Sequence, residues 1–231
     1  MPALKSDHNA SAPLWLFDLD NTLHDASQSI LPAISAAMNA YLARVMDGAS
    51  AEEVDRTRSR YLERYGATLL GLMRHHAVRA DDFLRETHAL PALAEMIAYE
   101  RGLARLLLRL PGRKILLTNA PLRYSSDVMR HLGLGRHFSH HVAIEQMRVH
   151  GQLRPKPSRL MLRRLLRKHG ASARRTILVE DSLANLQAAK ALGMRTVWVT
   201  QYLPAGTKRP AYVDVKVKSV RQLPRYLDRL R

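Results

Sequence analysis

The stretch Leu14-Trp15-Leu16-Phe17-Asp18-Leu19-Asp20-Asn21-Thr22-Leu23 decides how the rest of the chain is interpreted. Its first four residues are all apolar, and a short apolar run bounded by polar residues is typical of a buried strand in a parallel sheet. Asp18 and Asp20 follow at once, spaced by one residue, so both carboxylates can reach the same crevice. Open parallel sheets bind ligands beyond the carboxyl ends of their strands. The sequence therefore predicts a ligand site around these two carboxylates.

Further apolar runs predict the other strands of the same sheet. From about residue 113 onward these runs alternate with helical patterns, which is typical of a doubly wound α/β fold with a parallel sheet covered by helices. The predicted strands are Lys114–Leu117, Val142–Ile144, Thr176–Val179, Thr196–Val199 and Val213–Val217. Two intervening helices have recognisable ends: one opens at Pro155-Lys156-Pro157 and stops at Gly170, and the other spans Ser182–Leu192.

The segment between the first two strands breaks this alternation. It contains no convincing strand, but it does contain the helical runs Ile34–Met46, Ala51–Tyr65 and Asp81–His88. We therefore predict that residues 1–23 and 102–231 form the α/β core and that residues 24–101 form an inserted helical cap. An insertion that leaves the first strand at its carboxyl end lies over the ligand site.

Composition limits the class of protein. With 231 residues, 46% hydrophobic and 25% charged, the chain has the balance of a folded globular protein. It has no cysteine, which excludes disulfides, thiolate catalysis and Cys-ligated zinc. Its apolar runs are far shorter than the roughly 20 residues that span a bilayer, and Met1–Ser11 has no apolar signal core. We expect a cytoplasmic protein with no membrane segment.

The chain is strongly basic, with 37 Lys and Arg against 20 Asp and Glu, giving a formal net charge of +17. Three interpretations remain open: a surface that binds nucleic acid, a field that attracts anionic phosphate esters, and ordinary solvated helix faces. No aromatic residues are interleaved with the charges and no nucleic-acid-binding motif appears, so a nucleic acid is not the expected partner. The sequence leaves the oligomeric state open.

Polar residues also follow the later strands. Thr118 and Asn119 end the second strand, where a hydroxyl and backbone N–H groups suit phosphate oxygens. Lys156 lies at a predicted helix N-terminus, where its charge adds to the helix dipole in favour of an anion. Glu180 and Asp181 end the fourth strand, and such an acidic pair suits a hard cation such as Mg²⁺.

In this order the residues resemble the four motifs of the haloacid dehalogenase superfamily: an Asp-x-Asp, a Ser or Thr, a Lys, and an acidic pair. Each motif alone is common in loops, but here every one stands at a predicted strand or helix end, and together they cover nearly the whole chain. The resemblance implies a Rossmann-like core with an inserted cap.

The resemblance also implies a reaction. Asp18 would attack phosphorus and form an aspartyl-phosphate, which splits one difficult hydrolysis into two steps. Asp20 would protonate the leaving oxygen and then take a proton from water. Dehalogenases of the superfamily lack an acid at this position and P-type ATPases carry Thr there, so Asp20 favours a phosphatase or phosphomutase. We predict only a loop-orienting role for Asn21 and Thr22.

A metal ion and a phosphate-binding set are implied as well. Mg²⁺ would bridge the Asp18 carboxylate and the phosphate, with Asp181 and the backbone carbonyl of Asp20 as ligands and Glu180 acting through water. Without the cation, the anionic nucleophile and the anionic substrate would repel each other. The residues expected to neutralise the phosphate oxygens are Thr118, Asn119 through its backbone, and Lys156.

Within the superfamily, the chain resembles the pyrimidine 5′-nucleotidase branch. The run Tyr65–Leu72, Asp82-Phe83-Leu84 with His88, Asn21 and Leu117-Thr118-Asn119-Ala120 carry this likeness, which departs at His24, where the branch usually has Tyr. The implied substrate is UMP or CMP, with Tyr65, Thr68 and His88 as candidate contacts in the cap. Helical spacing of Tyr65, Leu69 and Leu72 equally fits packing within the cap. The pairs His75-His76 and His140-His141 are interpreted as surface residues, not metal ligands.

Two alternatives remain open. The first keeps the mechanism and changes the substrate to phosphoglycolate, a sugar phosphate or a lysophospholipid, or makes the enzyme a hexose phosphomutase. The second is a basic nucleic-acid-binding or regulatory module with vestigial motifs. Every motif residue is intact, which argues against the second alternative.

Overall fold

A parallel sheet forms the centre of the protein. The computed structural model describes residues 12–204, 206 and 208–230, so Met1–Ser11 lies outside the described residues. The sheet strands are β1 (Leu14–Phe17), β2 (Arg113–Leu117), β3 (His140–Val142), β6 (Thr176–Glu180), β7 (Arg195–Val199) and β8 (Val215–Val217), with a separate hairpin of β4 (Arg148–Val149) and β5 (Gln152–Leu153). Within the described part of the chain the six-stranded order is β3-β2-β1-β6-β7-β8, and every adjacent pair is parallel. The predicted doubly wound fold is confirmed.

Side chains of β1 show why the sheet needs helices on both faces. Successive residues of a strand point to opposite faces, and here Trp15 and Phe17 join one hydrophobic cluster while Leu14 and Leu16 join another. The helices are α1 (Ile30–Val45), α2 (Ala51–Tyr65), α3 (Thr68–His75), α4 (Ala80–Thr87), α5 (Leu93–Met96), α6 (Leu103–Arg109), α7 (Leu122–Leu132), α8 (Arg159–Lys168) and α9 (Leu183–Lys190). Helices α6 and α7 cover the first cluster, and α8 and α9 cover the second.

Two predicted strands have wrong bounds. The run Val142–Ile144 begins at the last residue of β3 and continues into a 3₁₀ turn, Ile144–Gln146. The strand stops there because the Ala143 N–H donates to the Gln146 side chain at 3.0 Å and Ile144 N–H donates to the Ala120 carbonyl at 3.2 Å. The second, predicted over Val213–Val217, pairs only from Val215. Apolar residues outside the ladder explain both errors, since Val213 and Ile144 are buried without being strand residues.

Helices α1 to α5 occupy the segment between β1 and the helix that precedes β2. Helix α2 begins at a capping box, in which Ser50 Oγ accepts from Glu53 N–H at 3.3 Å and Glu53 Oε2 accepts from Ser50 N–H at 2.8 Å. A third hydrophobic cluster contains residues of helices α1, α2, α3 and α4 together with two residues of the core, Ile144 in the 3₁₀ turn and Leu153 in β5. The chain segments that enter and leave this helical region meet where Asp25 N–H donates to the Ala98 carbonyl at 2.7 Å. We propose that residues 24–101 form the cap.

Among the described residues, no helix is both long and apolar enough to cross a bilayer.

Candidate active site

The carboxyl ends of β1, β2 and β6 bring the predicted polar residues to one edge of the sheet. A cavity of about 270 Å³ opens at this edge. Its lining includes Asp18, Asp20, Thr118, Asn119, Lys156, Glu180, Asp181 and His88. Residues that are more than 160 positions apart in the chain therefore share one small space because the parallel strands that precede them are neighbours.

Lys156 is the central cation of this cavity, with only 2% of its surface exposed. Its Nζ donates to Asp18 Oδ1 at 2.5 Å and to Glu180 Oε2 at 2.7 Å. The Asn119 side chain fixes the Lys156 backbone from both sides, donating to its carbonyl at 3.0 Å and accepting from its N–H at 2.9 Å. The Asn119 side chain thus positions Lys156, and the Asn119 backbone is the group expected to contact a phosphate oxygen.

Three carboxylates lie close together beside Lys156. Ligand oxygens of Asp18, Glu180 and Asp181 all lie within 4.8 Å of one another. Burial, followed by repulsion from Glu180, raises the pKa of Asp18 to about 7, and the same two causes raise the pKa of Asp181 to about 10. Crowded oxygen donors of this kind fit a hard divalent cation, whose charge would remove their mutual repulsion. The Asp20 side chain is not part of this cluster.

The loop after β1 orients the Asp18 carboxylate. Thr22 Oγ1 donates to Asp18 Oδ2 at 3.2 Å, and Asp18 N–H continues the strand ladder by donating to the Val179 carbonyl at 3.0 Å. Asn21 adopts φ 59°, a left-handed conformation that Asn tolerates better than most residues. Its Oδ1 accepts from Ala26 N–H, Ser27 N–H and Ser27 Oγ at 3.0–3.1 Å. The predicted loop-orienting role of Asn21 is confirmed, and Thr22 in addition contacts Asp18.

Thr118 is fully enclosed at the end of β2, with 1% of its surface exposed. Its hydroxyl oxygen accepts from the Ala120 N–H at 3.0 Å. Because this bond uses the oxygen as acceptor, the O–H proton remains for an oxygen of a bound ligand. The placement fits the predicted contact between this hydroxyl and a phosphate group.

Asp20 is held by two residues that the sequence did not single out as partners. His24 Nε2 lies 2.9 Å from Asp20 Oδ1, and the Tyr124 hydroxyl donates to the same oxygen at 2.7 Å. Burial raises the pKa of Asp20, but the hydrogen bonds from His24 and Tyr124 outweigh it and hold that pKa below its ordinary value. The spacing of four residues is the only sequence signal for His24, and nothing in the sequence marks Tyr124.

His88 lies in the wall of the cavity. Its ring meets the Tyr124 ring edge to face, with centroids 5.7 Å apart, and its Nδ1 lies 3.0 Å from Thr87 Oγ1. Burial lowers the pKa of His88 to about 4, so the ring is neutral near neutral pH. The structure therefore places an uncharged imidazole beside the carboxylates.

The other two candidate cap residues lie in different places. Thr68 lines a second cavity of about 400 Å³, which adjoins the first through His88 and Asn119. Tyr65 is not among the residues that line either cavity, and its hydroxyl lies 2.6 Å from His75 Nε2. The ring of Tyr65 also lies 5.7 Å from that of His75 in α3, so its contacts are those of packing between α2 and α3.

The adjacent histidine pairs lie away from the acidic cluster. His75 and His140 are exposed, whereas His76 and His141 are half-buried. His76 Nε2 lies 2.9 Å from the Tyr61 hydroxyl, and His141 Nε2 lies 2.8 Å from Ser125 Oγ. His75 and His140 are therefore surface residues as predicted, whereas His76 and His141 are only partly exposed and bond to the buried Tyr61 and Ser125.

The family of the chain follows from a match to a protein-family model. The model, described as haloacid dehalogenase-like hydrolase, matches residues 14–193, which include β1 and both acidic motifs. The chain belongs to the haloacid dehalogenase-like hydrolase family, and it is a hydrolase. The family assignment agrees with the four motifs and with the cavity where the structure brings them together.

Solved structures share the fold over almost the entire chain. CbbY from Rhodobacter sphaeroides in complex with phosphate has a TM-score of 0.65 at 23% identity, covering 92% of this chain and 96% of its own. A HAD phosphatase from Thermococcus onnurineus has a TM-score of 0.64 at 18% identity, covering 93% and 97%. A 2-haloacid dehalogenase from Pseudomonas syringae pv. Tomato DC3000 has a TM-score of 0.58 at 22% identity, covering 94% and 99%. A phosphatase and a dehalogenase thus share this fold, so the fold alone does not distinguish the two reactions and the residues of the cavity must do so.

Proposed function

We propose that this hydrolase is a Mg²⁺-dependent phosphomonoesterase that uses Asp18 as its nucleophile. The observation that carries the proposal is Asp20, a second carboxyl group that lines the same cavity as Asp18 and is held there by His24 and Tyr124. An alkoxide leaving from a phosphate ester needs a proton, whereas a halide leaves without one. A carboxyl group that the protein holds in place for proton transfer therefore supports ester hydrolysis over dehalogenation.

The first step transfers the phosphoryl group to the protein. An Asp18 oxygen forms a bond to phosphorus while the bond from phosphorus to the ester oxygen breaks, and Asp20 gives its proton to the departing alcohol. In the free site Asp20 is a carboxylate, because its pKa lies below the ordinary value. The arrival of an anionic phosphate ester raises its proton affinity, since nearby like charge favours the neutral acid.

The second step returns the enzyme to its starting state. Asp20 accepts a proton from water, the water oxygen bonds to phosphorus, and the bond between phosphorus and Asp18 breaks to release inorganic phosphate. Lys156 and the Thr118 hydroxyl stabilise the charge on the phosphate oxygens in both steps. The buried position of Lys156 favours this role, because its charge interacts strongly with groups inside the same cavity.

The acidic cluster is the proposed Mg²⁺ site. Asp18 and Asp181 would bind the cation directly, with the Asp20 backbone carbonyl, and Glu180 would bind through water. The cluster fits this role because, within the described part of the chain, the three carboxylates with oxygens within 4.8 Å of one another have one neighbouring ammonium group, Lys156. When bound, Mg²⁺ supplies positive charge that lets the anionic nucleophile approach an anionic phosphate.

The second cavity is the proposed site for the leaving alcohol. It is largely apolar, with Ile34, Met38 and Phe83 among its lining residues, and the Thr68 hydroxyl and the Arg58 side chain add polar groups. A pyrimidine nucleoside has this combination of a flat ring and a few hydrogen-bonding atoms. We therefore propose UMP or CMP as the substrate, with Thr68 and His88 as contacts. The position of Tyr65 favours cap packing over a ligand contact.

A substrate panel tests both parts of the proposal. Phosphate release would be measured with and without Mg²⁺ on UMP, CMP, dUMP, AMP, GMP, phosphoglycolate and sugar phosphates, using wild type, Asp18→Asn and the control Asp127→Asn. Asp127 is a carboxylate on α7 paired with Arg130 and outside the acidic cluster, so its replacement should preserve activity. Leading activity on UMP and CMP that Asp18→Asn abolishes supports the proposal. Another leading ester overturns only the substrate, whereas full activity in Asp18→Asn overturns the mechanism.

A further inference from the structure

The contacts of Asp20 are concentrated on one of its two oxygens. His24 Nε2 and the Tyr124 hydroxyl both contact Oδ1, at 2.9 and 2.7 Å. Within the described residues, Oδ2 has no protein hydrogen bond, and the Asp20 side chain keeps 23% exposure while lining the catalytic cavity. One oxygen is therefore fixed by the protein, and the other is left for a ligand or water.

The direction of the His24 hydrogen bond follows from the chemistry of its partner. His24 has 0% exposure, and its Nδ1 has no hydrogen-bond partner among the described residues, so Nε2 carries its contact to the protein. Because Asp20 Oδ1 is a carboxylate oxygen that only accepts, Nε2 carries the hydrogen of this bond. His24 is thus a fixed donor toward Asp20.

Tyr124 contacts the same Asp20 oxygen from a different element, helix α7. Its hydroxyl comes from α7, whereas His24 comes from the loop after β1, so Asp20 Oδ1 joins two elements that are far apart in the sequence. Tyr124 has 2% exposure, and its ring packs against His88. Two rigid donors from two elements fix the carboxyl group more firmly than either donor alone.

We propose that His24 is a positioning residue for proton transfer. With Tyr124 it holds Asp20 by Oδ1 and turns Oδ2 toward the oxygen of the leaving alcohol and, later, toward the attacking water. This inference rests on the proposed phosphomonoesterase function, in which Asp20 is the group that moves the proton. His24 itself touches neither the substrate nor the reacting atoms.

The expected effect depends on the leaving group. An aliphatic alcohol needs a proton as it departs, whereas p-nitrophenolate is stable as an anion and does not. Loss of positioning should therefore lower kcat/KM for the best aliphatic ester, such as UMP, by about 10- to 100-fold, the scale of a misplaced reacting group. For p-nitrophenyl phosphate the loss should stay within about threefold, because general acid catalysis contributes little there. KM should change much less than kcat.

Four variants make the test specific. His24→Leu removes the donor while filling the space, and His24→Gln restores an N–H near the position of Nε2 and should recover most of the activity on the aliphatic ester. Tyr124→Phe removes the second donor and should show the same dependence on the leaving group. His141→Leu is the control, because His141 is a half-buried histidine that bonds to Ser125 and not to Asp20. His141→Leu should change kcat/KM by the same factor for both esters.

The outcomes separate this inference from the proposed function. If wild type hydrolyses no phosphate ester, or Asp18→Asn stays active, the proposed function fails. If wild type is an Asp18-dependent phosphatase but His24→Leu and Tyr124→Phe reduce both esters equally, the two residues are merely structural and the positioning role is overturned. Should His24→Leu not fold, His24→Gln and Tyr124→Phe give the same comparison. Selective loss on the aliphatic ester with recovery in His24→Gln supports the inference.

Discussion

Replacing Lys156 by methionine should destabilise the protein strongly. Methionine has a similar length but no charge, so the change removes the donor to Asp18 and to Glu180 and leaves buried carboxylates with no ammonium partner. Breaking a buried ion pair by removing one partner typically costs about 3–5 kcal/mol. We expect a loss of that size in the free energy of unfolding near pH 8, in metal-free buffer.

The loss should shrink in acid. Burial and repulsion raise the pKa of Asp18 to about 7, above its value in the unfolded chain, and removal of the lysine raises it further. A carboxyl group with a raised pKa in the folded state stabilises the fold while it is protonated, and this contribution is lost as the pH rises through that pKa. Toward about pH 5 Asp18 becomes neutral in the variant, so the penalty of Lys156→Met falls.

Lys114 provides the matched control. It is also buried, with 9% exposure, but its Nζ donates to two backbone carbonyls, those of Leu110 at 2.7 Å and Gly112 at 2.9 Å. Lys114→Met should lower the free energy of unfolding by about 1–3 kcal/mol, because two carbonyl groups lose their hydrogen-bond donor. This loss should change little between about pH 5 and pH 8. Urea unfolding of wild type and both variants, followed by circular dichroism at both pH values, gives six free energies of unfolding and hence the four losses. Equal pH dependence in the two variants would refute the electrostatic argument.

Two further predictions concern the acidic cluster and the cap. Asp181→Asn should raise the melting temperature in EDTA near pH 8, because the raised pKa of Asp181, about 10, means that folding at this pH must protonate its carboxyl group, whereas an amide needs no proton. The same change should abolish the stabilisation by Mg²⁺, which for wild type is about 2.7 kcal/mol at a hundredfold excess over Kd. Thermal melts with and without Mg²⁺ check this, and an undiminished Mg²⁺ shift would contradict it. Gly71→Ala should destabilise the protein by about 1–3 kcal/mol, because an added Cβ would lie 2.2 Å from Tyr61 Cγ. Gly135→Ala, which meets nothing within 4 Å, should change stability by less than about 0.5 kcal/mol in the same unfolding assay.

Elements with strong local signals could be predicted from the sequence. Strand β1 and helix α2 have the predicted bounds, because polar residues end the apolar run of β1 and a capping box and Gly66 delimit α2. The site residues that follow strands could also be predicted, since strand ends place Asp18, Thr118 and Glu180 at one edge. These features depend on a few adjacent residues, and the parallel fold supplies the rest.

Features that depend on distant contacts could not be predicted. Tyr124 contacts Asp20 across 104 positions of the chain, and no local pattern indicates that pairing. The family resemblance makes Tyr65 a candidate substrate contact, but the direction of its ring is set by the packing of α2 against α3. Sequence shows which chemical groups are available, whereas their orientation depends on the packed helices around them.

The position of β1 in the middle of the sheet affects how the protein is made. Its four residues pair with two strands that are distant in the sequence: Leu14 aligns with Arg113 on one side and with Thr176 on the other. During synthesis this apolar strand leaves the ribosome long before its partners, and non-local pairing of this kind folds slowly. Glu180 ends the second partner strand and Asp181 follows it, so the three carboxylates of the cluster can come together only after about three-quarters of the chain has been translated. A nascent chain therefore carries Asp18 long before Glu180 and Asp181 are present, and β1 lacks its second partner strand until β6 has been synthesised.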